Sequence, residues 1–170
     1  MDKKIEPIVK ALQKQFDSPI EEFRGEVHVF VNPEQIVESL TLLRDKYEFE
    51  LLSALTAVDY FPIQTPRFHI VYQLSSLAKN ATLQVRVPVN GEQPKVPTVT
   101  RVYEVANWRE REVADMFGIE FEGHPDPRRI LMPEDWDGHP LRKDYPLGYE
   151  EPQFTFNFDE IDVRKPYAKE

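Results

Sequence analysis

The segment Gly123 to Pro146, GHPDPRRILMPEDWDGHPLRKDYP, concentrates the residue types that do chemistry. His124 and His139 each sit in a Gly-His-Pro triplet, with Asp126, Glu134, Asp135 and Asp137 between them. Two imidazoles and a carboxylate can hold a metal ion. Here, however, the histidines are fifteen residues apart across several prolines, and no helical H-x-x-x-H spacing makes them converge. A histidine in such a turn more commonly hydrogen-bonds neighbouring backbone and shapes the loop, so a stand-alone metal-dependent enzyme using His124 and His139 is the minor alternative. Paired carboxylates are no better guide, because 30 acidic residues place some pairs close by chance. No serine lies in a G-x-S-x-G turn.

A second charged group precedes this segment: Arg109, Glu110, Arg111 and Glu112, then Asp115. On a helix, Arg111 would meet Asp115 four residues on, and Arg109 would meet Glu112 three residues on. Arg109 interrupts the apolar stripe and is expected to need a partner there. Arg128, Arg129, Arg142 and Lys143 offer donors for carboxylates. Met132, Trp136 and Tyr145 are the large side chains that anchor interfaces. Prolines hold the segment extended, which lowers the cost of ordering it on a partner. On chemistry alone an interaction protein is favoured, with an enzyme of unrecognised site and a small-ligand binder still open.

Composition narrows these classes. A net charge of -9, with no basic stripe and no Gly-rich phosphate loop, opposes nucleic-acid binding. The chain has no cysteine, hence no disulfide, thiolate nucleophile or thiolate-held cluster. No apolar run reaches signal-peptide or membrane-span length, so any membrane attachment is expected through a partner, without direct insertion. With 41% hydrophobic residues in 170, the chain can build one sizeable core.

The elements that must position these residues follow from periodicity. Ile5, Ile8, Val9, Leu12 and Phe16 mark an amphipathic helix, and Val27, Val29 and Val31 a half-buried strand in which His28 faces outward. Asn32-Pro33-Glu34 predicts the N-cap and first turn of a second helix carrying Ile36, Val37, Leu40 and Leu43. Residues 50–60, 67–74 (with His69 also outward) and 81–89 read as strands joined by short links. A third helix is predicted from about Thr100 to Phe117, capped by Gly118. The expectation is a two-layer α+β fold over residues 1–122, with helices on one face of a mixed or antiparallel sheet of at least four strands. Residues 123–170 form a long irregular arm and tail, in which Phe154, Phe156 and Phe158 alternate as an extended segment.

The run Asn107 to Leu147 also carries a resemblance. Glu110-Arg111-Glu112 is followed by an acid at Asp115, the apolar pair Met116-Phe117 and, after six more residues, His124. Then come Arg128, Ile130-Leu131 and GHPLRKDYP, which contains His139, Arg142, Lys143, Asp144 and Tyr145. This pattern closely resembles the thirty-kilodalton subunit family of respiratory complex I, also known as the C subunits of NADH-quinone oxidoreductase. The resemblance implies a hydrophilic peripheral-arm subunit without catalytic, cofactor-binding or metal residues of its own, in a complex that passes electrons from NADH to quinone and translocates protons. FMN, iron–sulfur clusters and quinone would belong to partner subunits. Those partners would be chiefly the quinone-site B and D subunits and the ferredoxin-like I subunit, on the cytoplasmic side of a bacterial membrane. Equivalent subunits of membrane-bound hydrogenases or other quinone or coenzyme dehydrogenases are the alternative. In this reading Glu110, Arg111, Glu112 and Asp115 fasten the third helix to the arm. Arg128, Arg129, Arg142 and Lys143 reach acids of this chain or a partner.

Overall fold

The computed structural model describes residues 4–146 and 163. The first helix, α1, spans Glu6–Phe16 and buries Ile8, Val9, Leu12 and Phe16, the residues that its spacing singles out. Pro7 lies in its first turn, where the missing N–H costs nothing. A short strand β1 (Ile20–Phe23) then pairs antiparallel with β2 (Glu26–Phe30). Periodicity does not find β1, because IEEF is polar and mostly exposed. Asn32 is the N-cap residue, but of a 3-10 helix over Pro33–Gln35 and without a side-chain cap bond; α2 follows over Ile36–Tyr47. Ile36, Leu40 and Leu43 are fully buried, each worth about 1.5–3 kcal/mol of transfer free energy.

Three long strands complete the main sheet: β3 (Leu51–Asp59), β4 (Phe68–Ser76) and β5 (Ala81–Val89). They pair antiparallel in succession, and β5 pairs parallel with β2, giving the order β1-β2-β5-β4-β3. One phase of each strand (Val29, Val85, Val87, Ile70, Tyr72 and Leu55 among them) joins the helices in a single core. The opposite phase holds Gln73, Gln84 and Arg86, linked along the sheet by their own hydrogen bonds. His28 lies on that phase but is buried, contrary to the outward position predicted for it. Burial and the charge of Arg86 hold its pKa below the ordinary value. His69 is half-buried between the rings of Phe30 and Tyr60.

Beyond the sheet, β6 (Lys95–Pro97) and β7 (Glu120–Glu122) form a small parallel pair bridged by α3, Ala106–Phe117. The helix begins later than its apolar spacing predicts, because residues 99–105 form hydrogen-bonded turns. Phe117 packs edge-on to Phe68 at 6.5 Å, which ties α3 to the sheet. The alternating phenylalanines 154–158 lie outside the described residues.

Candidate docking site

Residues 123–146 run along α3 as a strap, from its first turn to its last and then onto the sheet. At the start, the Asp126 N–H donates to His124 Nδ1 at 3.0 Å, so the imidazole proton sits on Nε2, which donates to the Asn107 carbonyl at 3.1 Å. One turn on, Arg111 donates to the carbonyls of Arg128 and Arg129 and lies 3.3 Å from Asp126. Its guanidinium also covers the ring of Trp108. It does not pair with Asp115, the partner that helical spacing predicts.

Asp115 is the central fastener. One carboxylate oxygen accepts the N–H groups of Ile130, Leu131 and Met132 at 2.8–3.2 Å, and the other accepts Arg129 at 3.1 Å. Burial pushes this carboxyl up, but the three amides and the guanidinium outweigh it and hold the pKa below the ordinary value. At the helix end, His139 Nδ1 donates to the Asp115 carbonyl. Arg142 donates to the carbonyls of Phe117 and Gly118. Arg142 thus caps orphan carbonyls, and among the described residues it pairs with no acid.

The strap closes on the sheet through a pair that the motif does not contain. Arg67 is bidentate to Asp59 at 3.0 and 2.9 Å and also grips Asp144 at 2.9 and 2.6 Å. The backbone N–H of Lys143 donates to Asp59 at 2.9 Å. It is therefore the amide of Lys143 that fastens here; its ammonium meets no acid among the described residues. Burial raises the Asp59 pKa, but Arg67 and the two amides bring it down to about 2. The only sequence signal for this pair is an acid closing an otherwise apolar strand and an arginine opening the next.

The remaining motif residues separate into inward and outward sets. Glu110 is completely buried, accepting Thr98 Oγ1 at 2.5 Å and the Val99 N–H at 2.8 Å, with His124 Nε2 3.7 Å away. Arg109, expected to be the charge needing an internal partner, is exposed and lies 4.0 Å from Glu112. Glu112 therefore faces Arg109 and not the strap. Arg128 is exposed and folds back on Asp126. Met132 packs against the core, and Tyr145 rests on Gly138. Leu131, Trp136 and Leu141 are 61%, 41% and 54% exposed. Glu110, His124 and His139 line a cavity of about 240 Å³ between α3, β7 and the strap. Among the described residues no cluster of three or more His, Asp or Glu has the arrangement of a metal site. No described helix is long and apolar enough to cross a membrane.

An α+β domain that clamps its own strap through Arg111, Asp115 and Arg142 and leaves Leu131, Trp136 and Leu141 outside has the make-up of an assembly subunit. The chain matches the family described as respiratory-chain NADH dehydrogenase, 30 Kd subunit, over residues 29–151. It belongs to that family. The NADH-quinone oxidoreductase C subunit of Roseiflexus sp. (strain RS-1) is 52% identical over 151 residues, covering 88% of this chain and 86% of the relative. Its counterpart in Trichlorobacter lovleyi is 47% identical over 142 residues, covering 82% and 88%. The solved trypsin-resistant fragment of Nqo5 superposes with a TM-score of 0.65 at 35% identity, covering 72% of this chain and 98% of the fragment. A chain of a membrane-bound sulfane sulfur reductase shares the fold, with a TM-score of 0.74 at 22% identity, covering 99% of this chain and 97% of that one.

Proposed function

We propose that this chain is a non-catalytic peripheral-arm subunit of a proton-translocating NADH:quinone oxidoreductase. The observation that carries this reading is the division of labour along the strap. Asp115, Arg129, Arg142 and Asp144 are engaged inside the chain, whereas Leu131, Trp136 and Leu141 stand on the outer surface. A clamped segment presenting a tryptophan and two leucines has already met its ordering cost before a partner arrives. In this reading FMN, the iron–sulfur clusters and quinone reside on neighbouring chains, and the strap docks on the quinone-site B and D subunits and the ferredoxin-like I subunit. The complex holds the chain at the cytoplasmic face of the bacterial membrane.

The test is gentle purification from native membranes through a tag on this chain, in wild type and in Trp136→Ala. Iron–sulfur subunits and NADH-driven quinone reduction are expected in the wild-type eluate, with both sharply reduced in the variant. Turnover with hydrogen or a reduced coenzyme in place of NADH would move the chain to a hydrogenase or another dehydrogenase.

A further inference from the structure

Two protons between α3, its approach and the strap each have a choice of acceptor, and both choices include the same oxygen. The His124 imidazole carries its proton on Nε2, because Nδ1 accepts the Asp126 N–H. That proton faces the Asn107 carbonyl at 3.1 Å and Glu110 Oε2 at 3.7 Å. The Thr98 hydroxyl has one proton as well, with Glu110 Oε2 at 2.5 Å and Thr100 Oγ1 at 3.1 Å within reach. Neither donor can serve both of its acceptors well at once. The state of Glu110 therefore decides where both protons point.

We propose that Glu110 and His124 form a proton-operated latch that sets the position of the strap's first turn. With Glu110 protonated on Oε2, its O–H donates to Thr98 Oγ1, Thr98 turns to Thr100, and His124 holds the Asn107 carbonyl. When that proton leaves to water, Thr98 and His124 both donate to the carboxylate. His124 then closes from 3.7 Å to an ordinary length of about 2.9 Å. The Asp126 N–H, tied to Nδ1, follows it. A close-packed contact would resist such a shift, but the cavity of about 240 Å³ lined by Glu110, His124 and Pro127 leaves room for it.

The other titratable groups around Glu110 do not change state with it. On β4, burial pushes the Tyr72 phenol well up, so it stays protonated. On the strap, burial holds the pKa of His139 below the ordinary value, and its Nδ1 donates to the Asp115 carbonyl. Arg111, next along α3, is turned to the strap carbonyls and Asp126. Glu120 of β7, which lines the same cavity, is paired with Lys95 at 2.8 Å. Burial brings Glu110 itself up to about 7, so both latch positions are populated near neutral pH. Since the strap is the docking element, its set against a partner then follows local pH. That consequence rests on the docking reading; the latch does not.

Nuclear magnetic resonance titration of the isolated full chain from about pH 5 to 9 tests the latch without any partner. The Glu110 carboxyl carbon, the His124 Nε2–H and the Asp126 amide are expected to shift together with one midpoint near 7, while His124 keeps its proton on Nε2. Glu110→Gln should abolish the His124 and Asp126 shifts. Thr98→Val leaves both latch residues in place and should keep those shifts. Its midpoint should move to higher pH, because the Thr98 hydrogen bond favours the charged carboxylate. A Glu110 titration that leaves His124 and Asp126 unmoved overturns the latch. So does a His124 that gains a second proton over this range, and so do His124 and Asp126 shifts that survive Glu110→Gln.

Discussion

Asp115 and Arg129 meet at 3.1 Å where the strap crosses the last turns of α3, and the same carboxylate gathers three successive strap amides. A single side chain thereby fixes the path of residues 129–132. Replacing it with alanine leaves three N–H groups without an acceptor and Arg129 with only its long bonds to the Gly138 carbonyl. We expect Asp115→Ala to cost about 3–5 kcal/mol and to open the strap to protease near Leu131. Denaturant unfolding and limited proteolysis read the two effects, and unchanged values for both would remove Asp115 from its central place.

Glu110 supplies a pH signature. Burial pushes its carboxyl up to about 7 from an ordinary 4.5, despite hydrogen bonds from Thr98 and the Val99 N–H. His124 faces it directly, and the Tyr72 phenol is itself pushed up by burial and then by the Glu110 charge. Because the folded pKa is the higher one, the stabilising contribution is complete below about pH 4.5 and drains away as pH rises through 7. Glu110→Gln should flatten that slope, gaining on the order of 1–3 kcal/mol over wild type between pH 5 and 8. Parallel pH profiles for the two proteins would refute the assignment.

Gly118 closes α3 at φ +68°, and a β-carbon there would occupy the space of the His139 imidazole and the Arg142 guanidinium. Gly118→Ala therefore combines a left-handed backbone penalty of about 1–2 kcal/mol with displacement of two fasteners. The expected readout is a lower melting temperature together with faster amide exchange across residues 139–142. Loss of stability without any change in that exchange would point to backbone strain alone.

Arg128 tests the outward face. It is exposed and, among the described residues, its side chain pairs only with Asp126, two residues away, so Arg128→Ala should leave the melting temperature of the isolated chain unchanged. Any fall in recovered complex would then report contact with a partner. A large drop in melting temperature would instead reveal an internal role that the geometry does not provide.

Apolar spacing suffices to place α1 and α2, since Leu12, Leu40 and Leu43 have no rival set of contacts. In α3 the same logic is off by one position. Between Ala106 and Val113, either residue 109 or residue 110 could continue the buried stripe. Starting the helix too early favours Arg109, whereas the structure buries Glu110. Burying a carboxyl is tolerable only with donors in place, and those donors, Thr98 and Val99, lie eleven or twelve residues back on the approach to the helix. The Asp59–Arg67 anchor is equally hidden, because its third member, Asp144, is 77 residues from Arg67. Spacing within one element is legible; partners supplied from distant elements are not. The motif around Glu110 and Asp115 points to the family without revealing any of these contacts.

That long separation has a consequence for biosynthesis. As the chain leaves the ribosome, the sheet and α3 can assemble while residues 128–144 are still to come. Until then Arg67 has only Asp59, the last carbonyls of α3 lack the Arg142 cap, and Asp115 has no amides to receive. Contacts across so many residues form late. The nascent domain would therefore pass through a stage with its charged groups only half matched, and the arrival of the strap would end the interval in which a chaperone could still hold it.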